Sequence, residues 1–123
     1  MEVASKGVSS RTPSARAGSK FSTSSDAKTQ DFVKNYTEKF GIAPNQFAAD
    51  AYDVGYAIYN ACVACNVTAD MSASEVNALL VAWFTGNSFD GITGAGMTWG
   101  TDGAVSKYPM AVKIENGAYV SAE

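Results

Sequence analysis

The sequence predicts a mixed α/β chain in which three helices are followed by a short antiparallel β-hairpin region. Three observations carry that expectation. Phe32, Tyr36 and Phe40 recur at every fourth position, which places them on one helical face. Ser72-Ala73-Ser74-Glu75 has the form of a capping box ahead of an apolar run. Asn116-Gly117, set between apolar segments, is a strong two-residue hairpin signal.

Residues 1–30 carry eight serines and one aromatic, Phe21, with neither helix nor strand periodicity. So little apolar surface cannot offset the chain entropy lost on folding, and residues 1–25 are expected to form a disordered Ser/Arg-rich segment. The stretch lacks the apolar core of a secretory signal, so no signal peptide is recognisable. Its Arg, Ser and Ala content with few acids is also that of an organellar transit peptide, without the amphipathic helix such peptides show.

The texture changes at Asp26, which is placed to cap a first helix carrying Phe32, Tyr36 and Phe40. Gly41 follows as a left-handed terminator, and Pro44 keeps the helix from resuming. A second helix is expected from about Gln46 to Cys65, with Ala48, Tyr52, Tyr56, Tyr59 and Val63 along one stripe and Asn66 ending it. At that spacing the tyrosines read as core. The third helix starts at the Ser72 box, carries Val76, Leu79, Leu80 and Trp83, and stops near Gly86.

Beyond Gly86 the pattern turns to β. Gly91, Gly94 and Gly96 punctuate a run ending in Met97-Thr98-Trp99, and Gly100-Thr101-Asp102-Gly103 is a turn. Pro109–Glu115 alternates, with Met110, Val112 and Ile114 on one face, and Asn116-Gly117 leads into Ala118–Val120. Three short strands facing one way leave an apolar face that further structure has to cover.

Composition excludes several classes of function. There is no histidine, which removes Ser–His–Asp and Cys–His catalysis, His-ligated metal and the usual near-neutral proton shuttle. Two cysteines without imidazole do not close a zinc site. Net charge is −3, but residues 1–30 hold five of the nine Lys/Arg and two of the twelve Asp/Glu, leaving residues 31–123 at −6. An acidic body does not form a nucleic-acid groove, which needs clustered cations. The longest strongly apolar stretch, Leu79–Phe84, is far short of a membrane span. No metal, cofactor or catalytic residue is assigned.

Two motifs invite chemistry. Cys62-Val63-Ala64-Cys65 has redox C-x-x-C spacing, but it falls at the end of a helix, where the negative end of the dipole disfavours a thiolate. Packing is the better account. Gly91-Ile92-Thr93-Gly94-Ala95-Gly96 has the glycines of a phosphate cradle but no Lys, with a helix before it and a strand after it, the reverse of the order such loops need. A turn or domain crossing fits better. Phe47 lies in or before the first turn of the second helix, where free amides favour ligand contact. Asp50 is the second ligand-facing candidate, although Asp50 and Asp53 also read as first-turn complements to the helix dipole.

These features converge in order and spacing. Phe32-Val33-Lys34-x-Tyr36-x-x-x-Phe40-Gly41-x-x-Pro44, then Ala51-Tyr52-Asp53, then Phe89-x-Gly91-x-Thr93-Gly94 and Trp99 before a Gly turn resembles the C-terminal part of type I periplasmic binding proteins. Within these it is most similar to the branched-chain amino acid branch that serves ABC importers, over about Phe21 to Val120. The resemblance implies a partial two-lobed fold. Residues 26–86 would be the helical part of the first lobe, and residues 87–123 the hinge crossing and C-terminal strands of the second. It implies that Gly91 and Gly94 belong to the last hinge, that Phe47 faces the ligand and that Tyr52 packs.

It further implies that the chain is a C-terminal fragment of a substrate-binding protein. The whole protein would close on an amino acid without catalysis, hand it to an ABC permease, and work in the periplasm or anchored outside the cell. The apolar strand expected to lead into Phe21 is replaced by Ser/Arg-rich sequence, as a truncated gene, a shifted frame or an excised piece would produce. Three rivals stand beside it: a ligand-sensing receptor domain of the same fold, a small redox protein using Cys62 and Cys65, and a self-contained interaction module that dimerises through its strands.

Overall fold

The computed structural model describes residue 24, residues 26–109 and residues 111–122. The expectation for residues 1–25 therefore falls almost wholly outside the described residues, as does that for Met110. The order is α1 (Ala27–Phe40), α2 (Gln46–Ala64), α3 (Ala73–Gly86), β1 (Thr98–Trp99), β2 (Val105–Ser106), β3 (Val112–Glu115) and β4 (Ala118–Ser121). The chain is thus mixed helix and strand, helices first. Among the described residues no helix is long and apolar enough to cross a membrane.

Local chemistry sets the helix ends where expected. The Asp26 carboxylate accepts from the Thr29 amide and hydroxyl, both at 2.8 Å, while Gly41, at φ 71°, closes α1 by donating to the Thr37 carbonyl. The Asn45 side chain caps α2 by accepting from the Ala48 amide at 2.9 Å, and buried Pro44 seals the connection. Asn66 adopts the left-handed conformation, φ 51°, just past α2. The capping box of α3 is complete: Glu75 N donates to Ser72 Oγ, and Ser72 N donates back to the Glu75 carboxylate at 2.9 Å.

The strands form two separate two-stranded antiparallel ribbons. Thr98 pairs with Ser106 and Trp99 with Val105 across the Gly100–Gly103 turn, so the extended run gains a partner in β2 that the sequence pattern did not signal. The second ribbon pairs Val112–Glu115 with Ala118–Ser121 around Asn116 (φ 50°) and Gly117 (φ 78°), the signature of a type I′ turn. β3 is shorter than the Pro109–Glu115 run, and every residue of it is exposed.

The core is small and lies along one seam of α2. Phe32 and Ala49 form one cluster, flanked by Tyr36, Tyr52 and Ile92; Ala57, Phe89 and Met97 form a second, flanked by Phe84 and Trp99. The α2 face that packs is Ala49, Asp53, Ala57 and Ala61. This corrects the expected tyrosine stripe: Tyr56 and Tyr59 are 51% and 63% exposed, and Tyr52 is half-buried. Small side chains let another segment approach the α2 backbone closely, and that segment is the loop after α3.

Candidate functional site

That loop, residues 89–97, is built from its neck inward. Phe89 and Met97 form an antiparallel bridge, each amide donating to the other's carbonyl at 2.9 Å. Inside it the Gly91 amide donates to the Gly94 carbonyl at 2.9 Å, and the Gly96 amide donates to Asp90 Oδ1 at 2.7 Å. The tip meets Asp53, one turn beyond Ala49 and one turn before Ala57, between the two apolar clusters. Ile92 N donates to Asp53 Oδ1 at 2.8 Å; Thr93 N and Thr93 Oγ1 donate to Oδ2 at 2.8 and 2.6 Å. Asp53 is 6% exposed and Thr93 is 4% exposed. A buried carboxylate is tolerated only when its lone pairs are filled, and here both oxygens are engaged.

Gly91 completes the fit. A Cβ built on it would sit 2.6 Å from Asp53 Oδ1 and nearer still to Cγ and Oδ2. Neither Gly91 nor Gly94 has a positive φ, so Gly91 is required for close approach and not for backbone freedom. A Cβ at Gly94 would meet Met97 and Lys107 side chains at 3.3 Å.

Beside this contact lies a shallow cleft of about 270 Å³ lined by Lys28, Tyr52, Tyr56, Asn60, Phe89 and Asp90, among others. Burial, followed by the adjacent Tyr56 hydroxyl, pushes the Tyr52 phenol up to about 12. Tyr52 therefore stays protonated at neutral pH and offers a hydrogen bond, not a nucleophile. Lys28 Nζ reaches the Asp90 carbonyl at 3.4 Å. Among the described residues no three His, Cys, Asp or Glu converge in a metal-holding group.

The sequence-derived candidates fall elsewhere. Phe47 is in the first turn of α2 and 80% exposed, away from the cleft lining. Asp50 accepts from Gln46 Nε2 at 2.9 Å and pairs with Lys107 Nζ at 3.2 Å, tying the start of α2 to the residue after β2. Neither Asp50 nor Asp53 is a first-turn dipole complement, because that turn holds no acidic residue. Cys62 and Cys65 are free and half-buried at the end of α2, with Cys65 Sγ 3.7 Å from the Leu79 carbonyl. The signal for Asp53 that sequence reasoning passed over is its place in a small-residue row, Ala49-x-x-x-Asp53-x-x-x-Ala57-x-x-x-Ala61. A carboxylate in a packing seam must have a partner.

Comparison with protein-family models, with curated proteins and with solved structures found no match.

Proposed function

We propose that the chain is the C-terminal part of a substrate-binding protein of the type I periplasmic kind. The whole protein binds branched-chain or related amino acids by cleft closure, without catalysis, and passes them to an ABC permease from the periplasm or, membrane-anchored, from outside the cell. The observation that carries this is the apolar surface left on both flanks of α2. Val54 and Ile58 on one flank, and Tyr56, Tyr59 and Val63 on the other, are 43–63% exposed. α3 adds Val81, at 54% exposed, and buries no residue fully. A helix that leaves apolar side chains exposed on both flanks of its packing seam belongs inside a larger body, and contiguous apolar patches of this kind mark covered surfaces.

In this proposal the rest of the first lobe covers those flanks, and Phe47 and Asp50 face the cleft where the second lobe closes. Most of the polar contacts to the ligand then come from the remainder of the protein. Titration calorimetry with leucine, isoleucine and valine tests the assignment. This chain alone is expected to give no measurable binding. A version extended by the lobes encoded upstream, read in all three frames, is expected to bind in the micromolar range. Micromolar binding by the chain alone, or an upstream sequence without such lobes, refutes it.

A further inference from the structure

We infer that Asp53 is a positioning residue that latches the 89–97 loop to α2 as one rigid piece, so that a swing between the helices and the β3–β4 ribbon turns beyond Lys107, which is itself paired with Asp50, and not at Gly91 or Gly94. The latch stands on its own geometry; its bearing on lobe movement rests on the proposed function.

The loop is constrained at every level. Its neck is closed by the Phe89–Met97 bridge, and both neck residues are buried, at 7% and 4% exposed, against Ala57. Its interior is clipped by the Gly91–Gly94 and Gly96–Asp90 hydrogen bonds, and its tip is held by three donors on the Asp53 carboxylate. Rotation about Gly91 would pull Ile92 and Thr93 off a carboxylate that is only 6% exposed and so poorly supplied with replacement donors. Each such bond shifts an opening equilibrium by roughly tenfold, so the three together hold the loop closed by about a thousandfold. The glycine at Gly91 is there because the carboxylate occupies the space a side chain would need. Gly91 therefore marks a lock between two elements.

The chain itself supplies the test. Amide hydrogen exchange of Ile92 and Thr93 is expected to be slowed about a thousandfold relative to an open loop, and backbone order parameters over residues 90–96 are expected to equal those of α2, about 0.85. Thr93→Val removes one of the three bonds at constant shape and is expected to lower that protection about tenfold, with Thr93→Ser restoring it. Protection below about a hundredfold, or order parameters below about 0.6, overturns the latch and leaves the amino-acid proposal untouched. A protected, rigid loop in a protein whose extended form binds no amino acid removes that proposal and leaves the latch standing.

Discussion

Replacing Gly91 by alanine is the sharpest perturbation of this structure, because one methyl group meets one carboxylate. The Cβ would fall 2.6 Å from Asp53 Oδ1, well inside van der Waals contact. Either the loop lifts or Asp53 rotates away, and each response strips the Ile92 and Thr93 amides of their acceptor. Two lost hydrogen bonds to a charged group, at about 1.5 kcal/mol each, set the expected cost near 3 kcal/mol. In a domain of this size that lowers the thermal midpoint by about 12–24 °C. Two controls bracket it. Gly94→Ala meets the Lys107 and buried Met97 side chains at 3.3 Å, which need give only slightly, and is expected to cost about 1 kcal/mol. Gly55→Ala sits in open space within α2 and is expected to stabilise by about 0.5–1 kcal/mol.

Urea unfolding followed by far-ultraviolet circular dichroism gives each value. The decisive measurement is a double-mutant cycle. In an Asp53→Ala background there is no carboxylate to collide with, so Gly91→Ala is expected to lose most of its cost there, a coupling of about 2 kcal/mol. Equal costs of Gly91→Ala in both backgrounds would refute the matched Gly91–Asp53 contact.

Three further outcomes follow from other groups. Ser72→Ala removes the α3 cap and is expected to cost about 1 kcal/mol, read by the same unfolding assay. The Thr29 hydroxyl and amide hold the Asp26 carboxyl below its ordinary 3.8, and the Ser72 hydroxyl and amide hold Glu75 below 4.5. Both groups take up protons more readily when unfolded, so their stabilisation is complete above those ordinary values and is lost as pH falls through the lowered ones. Circular dichroism against pH should show helicity falling in that acid window, less steeply for Glu75→Gln. The Tyr52 phenol, raised from 10.0 to about 12, works in the opposite sense: its contribution is complete below 10 and lost as pH rises through 12. Tyr52→Phe should abolish the last tyrosinate step in an absorbance titration.

What the sequence made legible divides by range. Asp26, Gly41, Asn66 and the Ser72–Glu75 box act on backbone groups within four residues, so their chemistry could be recognised without a fold, and the helix ends stand close to where those residues put them. Asn116-Gly117 is the same case for the hairpin. β2 was hidden because Val105-Ser106 has no pattern of its own; it is a strand only because Thr98-Trp99 lies beside it. The packing face of α2 was misread for a related reason. Apolar periodicity points to the largest side chains, and the tyrosines supply them, whereas the seam that packs is chosen by how close the 89–97 loop must come.

That closeness links the misread face to the overlooked residue. The loop's amides at Ile92 and Thr93 need an acceptor, and a carboxylate can supply one at 2.8 Å only if its helix offers no bulk on either side. Ala49 and Ala57 satisfy that condition one turn above and below Asp53, and Gly91 satisfies it from the opposite side. The tyrosines are then displaced by about a quarter turn of the helix, onto a flank where Phe32 covers Tyr52 in part and Tyr56 and Tyr59 stay exposed. One geometric requirement, a bare helix seam against a bare loop, accounts for the buried acid, for the glycine facing it, and for the aromatic surface on which the proposal of a larger binding protein rests.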